Sequence, residues 1–153
     1  MGFGVVALEG GSHLRLVDAG CIRTTSAQAG PARLAEIHQA LSELITLHRP
    51  ERVAVERLFF QRNVRTAMAV GEARGVALLT AAEHHLPVDE PTPNEVKQAV
   101  CGNGSAEKQQ VGTMVARLLG VELRGTADDT TDALALAIGC LYRAAATRLV
   151  ETR

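Results

Sequence analysis

Arg52-Val53-Ala54-Val55-Glu56 is a run of β-formers closed by a carboxylate, and Asp129-Thr130-Thr131-Asp132 opens an alanine-rich run with two more acids three residues apart. Val53 and Val55 mark a short strand that delivers Glu56 at its C-terminal end, whereas the second stretch reads as the start of a helix. Ligand sites in open α/β sheets gather at the carboxyl ends of strands, so the pair of stretches points to an α/β domain whose acids meet at one edge.

Working outward, Phe3 to Leu8 is apolar, Gly10-Gly11-Ser12 marks a turn, and His13 to Val17 alternates polar and apolar. Asp18-Ala19-Gly20 punctuates again before Cys21-Ile22-Arg23-Thr24, so three antiparallel strands are expected in a meander. From Pro31 the period becomes helical, with Leu34, Ile37, Leu41, Leu44 and Ile45 on one face of a helix ending before Pro50. A second helix is expected over residues 63–84, where Ala67, Gly71 and Gly75 form a smooth ridge. Glycine costs ~1 kcal/mol against alanine inside a helix, so that ridge implies close backbone packing on a sheet or on a subunit partner.

Val88-Asp89-Glu90 is a weak strand. Thr92-Pro93-Asn94-Glu95 is a strong helix start, with Thr92 as cap, Pro93 in the first helical position and Glu95 completing a capping box. That helix stops at Gly102. Ser105 is expected to cap the next, whose face is Val111, Met114, Val115, Leu118 and Leu119 and which Gly120 closes. A last helix is expected over residues 129–149. The order predicts a mixed sheet flanked by helices in a single domain spanning residues 1–153.

A content of 46% hydrophobic and 22% charged residues suits a globular protein, and no apolar run is long enough for a membrane span, so the chain is read as cytoplasmic with no membrane partner. Cys21, Cys101 and Cys140 are odd in number and far apart, which argues against a disulfide framework and a zinc site. His84 and His85 read as favourable charge at a helix C-terminus rather than as ligands. The net charge of −1 shows no global basic character, although clustered acids would offset a local basic face. Fourteen of the 16 basic residues are arginine, which suits bidentate phosphate contact; a GC-rich coding sequence explains the same skew.

Read singly, the acids are not diagnostic. Aspartates at a helix start ordinarily cap backbone N–H groups and complement the dipole, and Glu56 reads equally as a polar strand terminus. In combination they match the one or two carboxylates that Mg²⁺ takes beside waters and phosphate oxygens.

Six segments carry a resemblance over nearly the whole chain: Gly20 to Thr24, Val55-Glu56-Arg57-Leu58-Phe59, Gly71-Glu72-Ala73-Arg74-Gly75-Val76-Ala77, Val96-Lys97-Gln98, Gly102 to Lys108, and Asp129 to Ala135. In these the sequence resembles the RuvC family of Holliday-junction resolvases, which have an RNase H-like fold. The resemblance implies a homodimeric, Mg²⁺-dependent endonuclease, with Mn²⁺ able to substitute, that resolves four-way junction DNA alongside the RuvA–RuvB branch-migration proteins. It implies Glu56, Asp129 and Asp132 as metal-binding acids and Lys108 as a catalytic and DNA-binding cation. Lys97 and Arg65 would be further DNA contacts, and Arg57, Arg62 and Arg74 less certain ones. Phe59 would be the aromatic that wedges into the junction; a core role is the bland alternative. Lys97 and Lys108 are the only lysines in the chain, and both fall inside matching segments.

The family's first strand carries a Gly-hydrophobic-Asp-Pro-Gly segment with a fourth acid, and the resemblance here begins just downstream of it, at Gly2. The first explanation is a start assigned too late, the second a junction-binding form that does not cleave, and the third a substitute acid such as Asp18 or Glu9. A ribosomal-RNA-processing nuclease of the same fold is the remaining rival.

Overall fold

The structure, a computed structural model, describes residues 1–25, 27–57 and 64–151, with the side chains of 64–66 and 148–151 left aside. In chain order the elements are β1 (Gly2–Glu9), β2 (His13–Cys21), α1 (Gly30–His48), β3 (Val53–Ala54), α2 (Val64–Glu83), β4 (Val88–Asp89), α3 (Pro93–Cys101), α4 (Lys108–Leu119) and α5 (Asp128–Glu151). They fall into two compact units: residues 1–21 with 91–153, and residues 22–90.

In the first unit, β1 and β2 pair as an antiparallel hairpin running from Glu9 opposite His13 to Gly2 opposite Cys21. The expected three-strand meander is corrected here. The register breaks between Val5 and Val6, which face Asp18 and Leu16, so Val17 is an extra residue in β2. This bulge absorbs the Asp18-Ala19-Gly20 punctuation instead of a turn, because the extra residue bends the strand while the ladder resumes beyond it. Cys21 therefore ends β2, and residues 22–25 form no strand.

Helix α5 packs on β1, and α3 and α4 pack on α5. Leu134, Ile138 and Val115 are all fully buried at the centre of this core, with Leu14, Val96 and Val100 around them. Helix α3 follows its local signals. The Glu95 N–H donates to Thr92 Oγ1 at 3.2 Å, and the Thr92 N–H donates to Glu95 Oε2 at 2.7 Å. It closes on Gly102 at φ 71, and α4 closes on Gly120 at φ 65, conformations that cost a side chain and suit glycine. The cap of α4 differs from expectation. Glu107, not Ser105, is its N-cap, in a capping box with Gln110. Ser105 is instead drawn into the preceding loop, where its N–H donates to Asn103 Oδ1 at 2.9 Å.

In the second unit, α1 packs on α2, and His38 of α1 lies 2.6 Å from Glu83 of α2. Strands β3 and β4 are parallel, with Val53 opposite Val88 and Ala54 opposite Asp89. A Cβ added at Gly71 or Gly75 would meet no described atom within 4 Å, so the glycine ridge of α2 is not pressed on a sheet among the described residues. Met68 and Leu79 of the same helix are exposed. Among the described residues no helix is long and apolar enough to cross a membrane, and the three cysteines are not joined in disulfides.

Candidate active site

The first turn of α5 is set by how closely it approaches β1. A Cβ on Gly2 would lie 2.0 Å from the Asp129 carbonyl oxygen, and one on Gly4 would lie 2.8 Å from Leu134 Cδ2. Only glycine at these two places lets the helix start rest on the strand. Thr130, 5% exposed, points inward, and its hydroxyl lies 3.2 Å from Cys21 Sγ on β2. With Thr130 turned to the hairpin, its neighbours Asp128, Asp129 and Asp132 are exposed.

Lys108 is the first residue of α4, and its Nζ stands 3.2 Å from Asp128 Oδ2 and 3.3 Å from Asp132 Oδ2. Asp128 and Asp132 are one helical turn apart, so their carboxylates share a face of α5. Those carboxylates hold the ammonium above the usual lysine range, chiefly through the hydrogen bond to Asp128 and then that to Asp132. A cation at a helix N-terminus opposes the dipole of its own helix, so α4 alone does not favour a lysine there; the two acids do. Asp128 was not singled out in the sequence, where the i, i+3 spacing of Asp129 and Asp132 masked its i, i+4 partnership with Asp132.

Gln98, from the Val96-Lys97-Gln98 segment, holds the loop that leads to Lys108. Its amide donates to the Gly102 carbonyl at 3.0 Å and accepts from the Gly104 N–H at 3.0 Å. Lys97 lies beside it on α3, partly exposed. The role of Gln98 is a tertiary property of the loop, with no signal in its own spacing.

In the second unit, the β3–β4 ladder runs to the Val55 N–H, which donates to the Asp89 carbonyl at 2.9 Å. Glu56 follows directly and is exposed. Its carbonyl accepts from Arg74 Nε at 3.0 Å, and the same guanidinium donates to Glu90 at the end of β4. Arg52 approaches Asp89 Oδ2 at 3.4 Å across the same pair of strands. Phe59 and Arg62 lie outside the described residues, and the side chain of Arg65, on the first turn of α2, does too.

The structure thus joins Lys108 to Asp132 and to the unforeseen Asp128, with Asp129 on the same helical turn, and carries Glu56 at the end of β3. Within neither unit do three or more described His, Cys, Asp or Glu side chains group as a metal would require. The donor chemistry nevertheless fits a hard divalent cation. Two carboxylate oxygens already converge on a positive charge, and oxygen ligands are what Mg²⁺ and Mn²⁺ take.

Comparison with known proteins bears on what this arrangement does. A family model described as crossover junction endodeoxyribonuclease RuvC matches residues 1–140. The crossover junction endodeoxyribonuclease RuvC of Alkaliphilus metalliredigens is 49% identical over 138 residues, covering 90% of this chain and 84% of its own. That of Moorella thermoacetica is 51% identical over 138 residues, covering 90% of this chain and 82% of its own. Among solved structures, T. thermophilus RuvC in complex with Holliday junction substrate superposes with a TM-score of 0.89 at 36% identity, over 95% of this chain and 88% of that one. A second Thermus thermophilus RuvC structure gives 0.84 at 37% identity, over 97% and 89%. These likenesses make the fold an RNase H-like α/β one.

Proposed function

From the premise that this chain belongs to the RuvC family, we propose that Glu56, Asp129 and Asp132 hold the divalent ions with which it nicks four-way DNA. The chain is a Holliday junction resolvase, an endonuclease of recombination and repair that depends on a divalent metal. Mg²⁺ is the ion of choice, with Mn²⁺ able to substitute.

The observation that carries the reading is the Lys108 ammonium seated between two carboxylates at the start of α5. Bound ions would activate a water and stabilise the leaving 3′ oxygen of a phosphodiester. The protein's own groups do the rest. Lys108, kept charged by its acids, presents positive charge to the phosphate being cleaved. Lys97 and Arg65 neutralise backbone phosphates and fix the register of the DNA. Phe59 wedges into the junction, where stacking is already weakened and an intruding ring costs least.

Residues 1–153 act as one nuclease domain in the cytoplasm, and the functional form is a homodimer that places two sites for paired nicks. Support for the dimer comes from α2, whose open Gly71 and Gly75 and exposed Met68 and Leu79 leave an apolar stripe uncovered among the described residues. The RuvA–RuvB proteins are the partners on the junction.

Incubating an immobile four-way junction with the protein and Mg²⁺ or Mn²⁺ tests this reading. Paired nicks are expected, lost in Glu56→Gln while junction affinity persists. Tight junction binding without nicks at any metal concentration would leave a binding protein, not a resolvase.

A further inference from the structure

Glu56 sits two residues beyond a strand only two residues long. A strand end held by so little ladder does not by itself keep a carboxylate within the ~0.5 Å that a functional constellation demands. Arg74, at the middle of α2, reaches that strand end from the helix. Its Nε donates to the Glu56 carbonyl at 3.0 Å, and its Nη2 donates to Glu90, the first residue past β4. One guanidinium therefore bars two parallel strand ends together from the helix. Its side chain is 21% exposed, the least of the ion-paired arginines among the described residues. A phosphate contact would instead need its donors turned to solvent.

We propose that Arg74, anchored by Glu90, is the positioning residue for Glu56: it fixes the strand end from which that carboxylate reaches the metal. The inference rests on Glu56 being a metal ligand. The fork of arginine is essential to it, since two donors in a fixed plane reach a carbonyl and a carboxylate at once, whereas lysine offers a single point charge on a flexible stem.

The test uses the full chain and three readouts: Mn²⁺ titrated into the protein alone by calorimetry, junction affinity and its salt dependence without divalent metal, and single-turnover nicking of an immobile junction. Arg74→Lys and Arg74→Met are each expected to weaken Mn²⁺ binding and nicking by about 10- to 100-fold, the range for groups that orient a ligand from behind. Junction affinity and its salt slope should stay at the parent values. Glu90→Gln, which keeps the bond to Glu56 but loosens its anchor, should shift Mn²⁺ binding in the same direction by less.

Rescue by lysine together with a loss of junction affinity in Arg74→Met would make Arg74 a phosphate contact and overturn the proposal. Parental Mn²⁺ binding in the Arg74 variants, with Glu56→Gln inactive, would overturn it while leaving Glu56 a ligand. Parental Mn²⁺ binding and nicking in Glu56→Gln would remove the ligand itself, and the proposal with it. Should the Arg74 variants fail to fold, unchanged Mn²⁺ binding in Glu90→Gln would decide against it.

Discussion

Replacing Gly4 with alanine tests whether close approach of α5 to β1 sets the acids. Gly4 lies mid-strand, opposite Ala19. Its new methyl would stand 2.8 Å from Leu134 Cδ2, 3.1 Å from Leu134 Cγ and 3.1 Å from the Leu134 backbone N. Ordinary contact begins near 3.4 Å, leaving a shortfall of about 0.6 Å to the side chain and about 0.3 Å to the backbone. Leu134 is fully buried, so its side chain has no free space to swing into. Overpacking of this kind costs about 1–3 kcal/mol. At about 2–4 °C per kcal/mol for a chain of this size, Tm should fall by about 2–12 °C. If α5 lifts instead, Asp129 and Asp132 move with it. A misplacement of about 1 Å costs about 100-fold in rate, so half of that predicts about a tenfold loss of nicking. Calorimetry and single-turnover cleavage measure both. Leu134→Ala alone should cost about 2–5 kcal/mol, but with Gly4→Ala the two costs should sum to less than additive, because the side-chain part of the clash is gone. An unchanged Tm for Gly4→Ala with strictly additive costs in the double variant would refute the reasoning.

Three further outcomes follow from the same geometry. Asp128→Asn should bring the Lys108 pKa down towards 10.5, by more than Asp132→Asn does, because Asp128 is the first cause of the rise; with only two lysines, ¹³Cε NMR resolves it. The sign follows from linkage: a raised folded pKa contributes stability that is present below 10.5 and lost as pH climbs through the folded value, so parent and Asp128→Asn should converge in Tm only above 10.5. Thr130→Val keeps shape but removes the hydroxyl 3.2 Å from Cys21 Sγ, and should cost about 0.5–1.5 kcal/mol by denaturant unfolding; unchanged stability would show that the contact contributes nothing. If the proposed dimer forms through α2, the parent should sediment as a dimer and Met68→Lys as a monomer; a dimeric Met68→Lys would argue against that interface.

The parts of the fold legible in the sequence are those whose determinants lie within a turn or two. The Thr92–Glu95 capping box and the glycine ends of α3 and α4 involve neighbours three to five residues apart, and the structure has them as read. The acids Glu56, Asp129 and Asp132 were also legible as types at element ends, because strand and helix boundaries are local. What failed depends on partners far along the chain. The β2 bulge at Val17 is a matter of register between two strands, and composition alone read Asp18-Ala19-Gly20 as a turn. Gly2 and Gly4 look like ordinary strand residues until a helix begun over 120 residues later rests on them. Arg74 reads as a surface phosphate contact until its donors are seen spent on Glu56 and Glu90.

The competing account of the α5 acids, that they merely cap the helix, can be weighed position by position. A capping carboxylate acts from the N-cap or the first turn, where N–H groups lack partners. Asp128 and Asp129 stand in that turn, so capping would suffice to explain either. Asp132 is the fifth residue of the helix, beyond the reach of the free N–H groups, and the Thr130 and Thr131 N–H groups already donate to the Ala127 carbonyl at 3.0 and 3.2 Å. Its Oδ2 turns instead to the Lys108 ammonium. A carboxylate with no capping work to do, set beside a lysine that its own helix dipole disfavours, is accounted for by the ion pair between the two and not by capping, which is what the proposed cation site requires of Asp132.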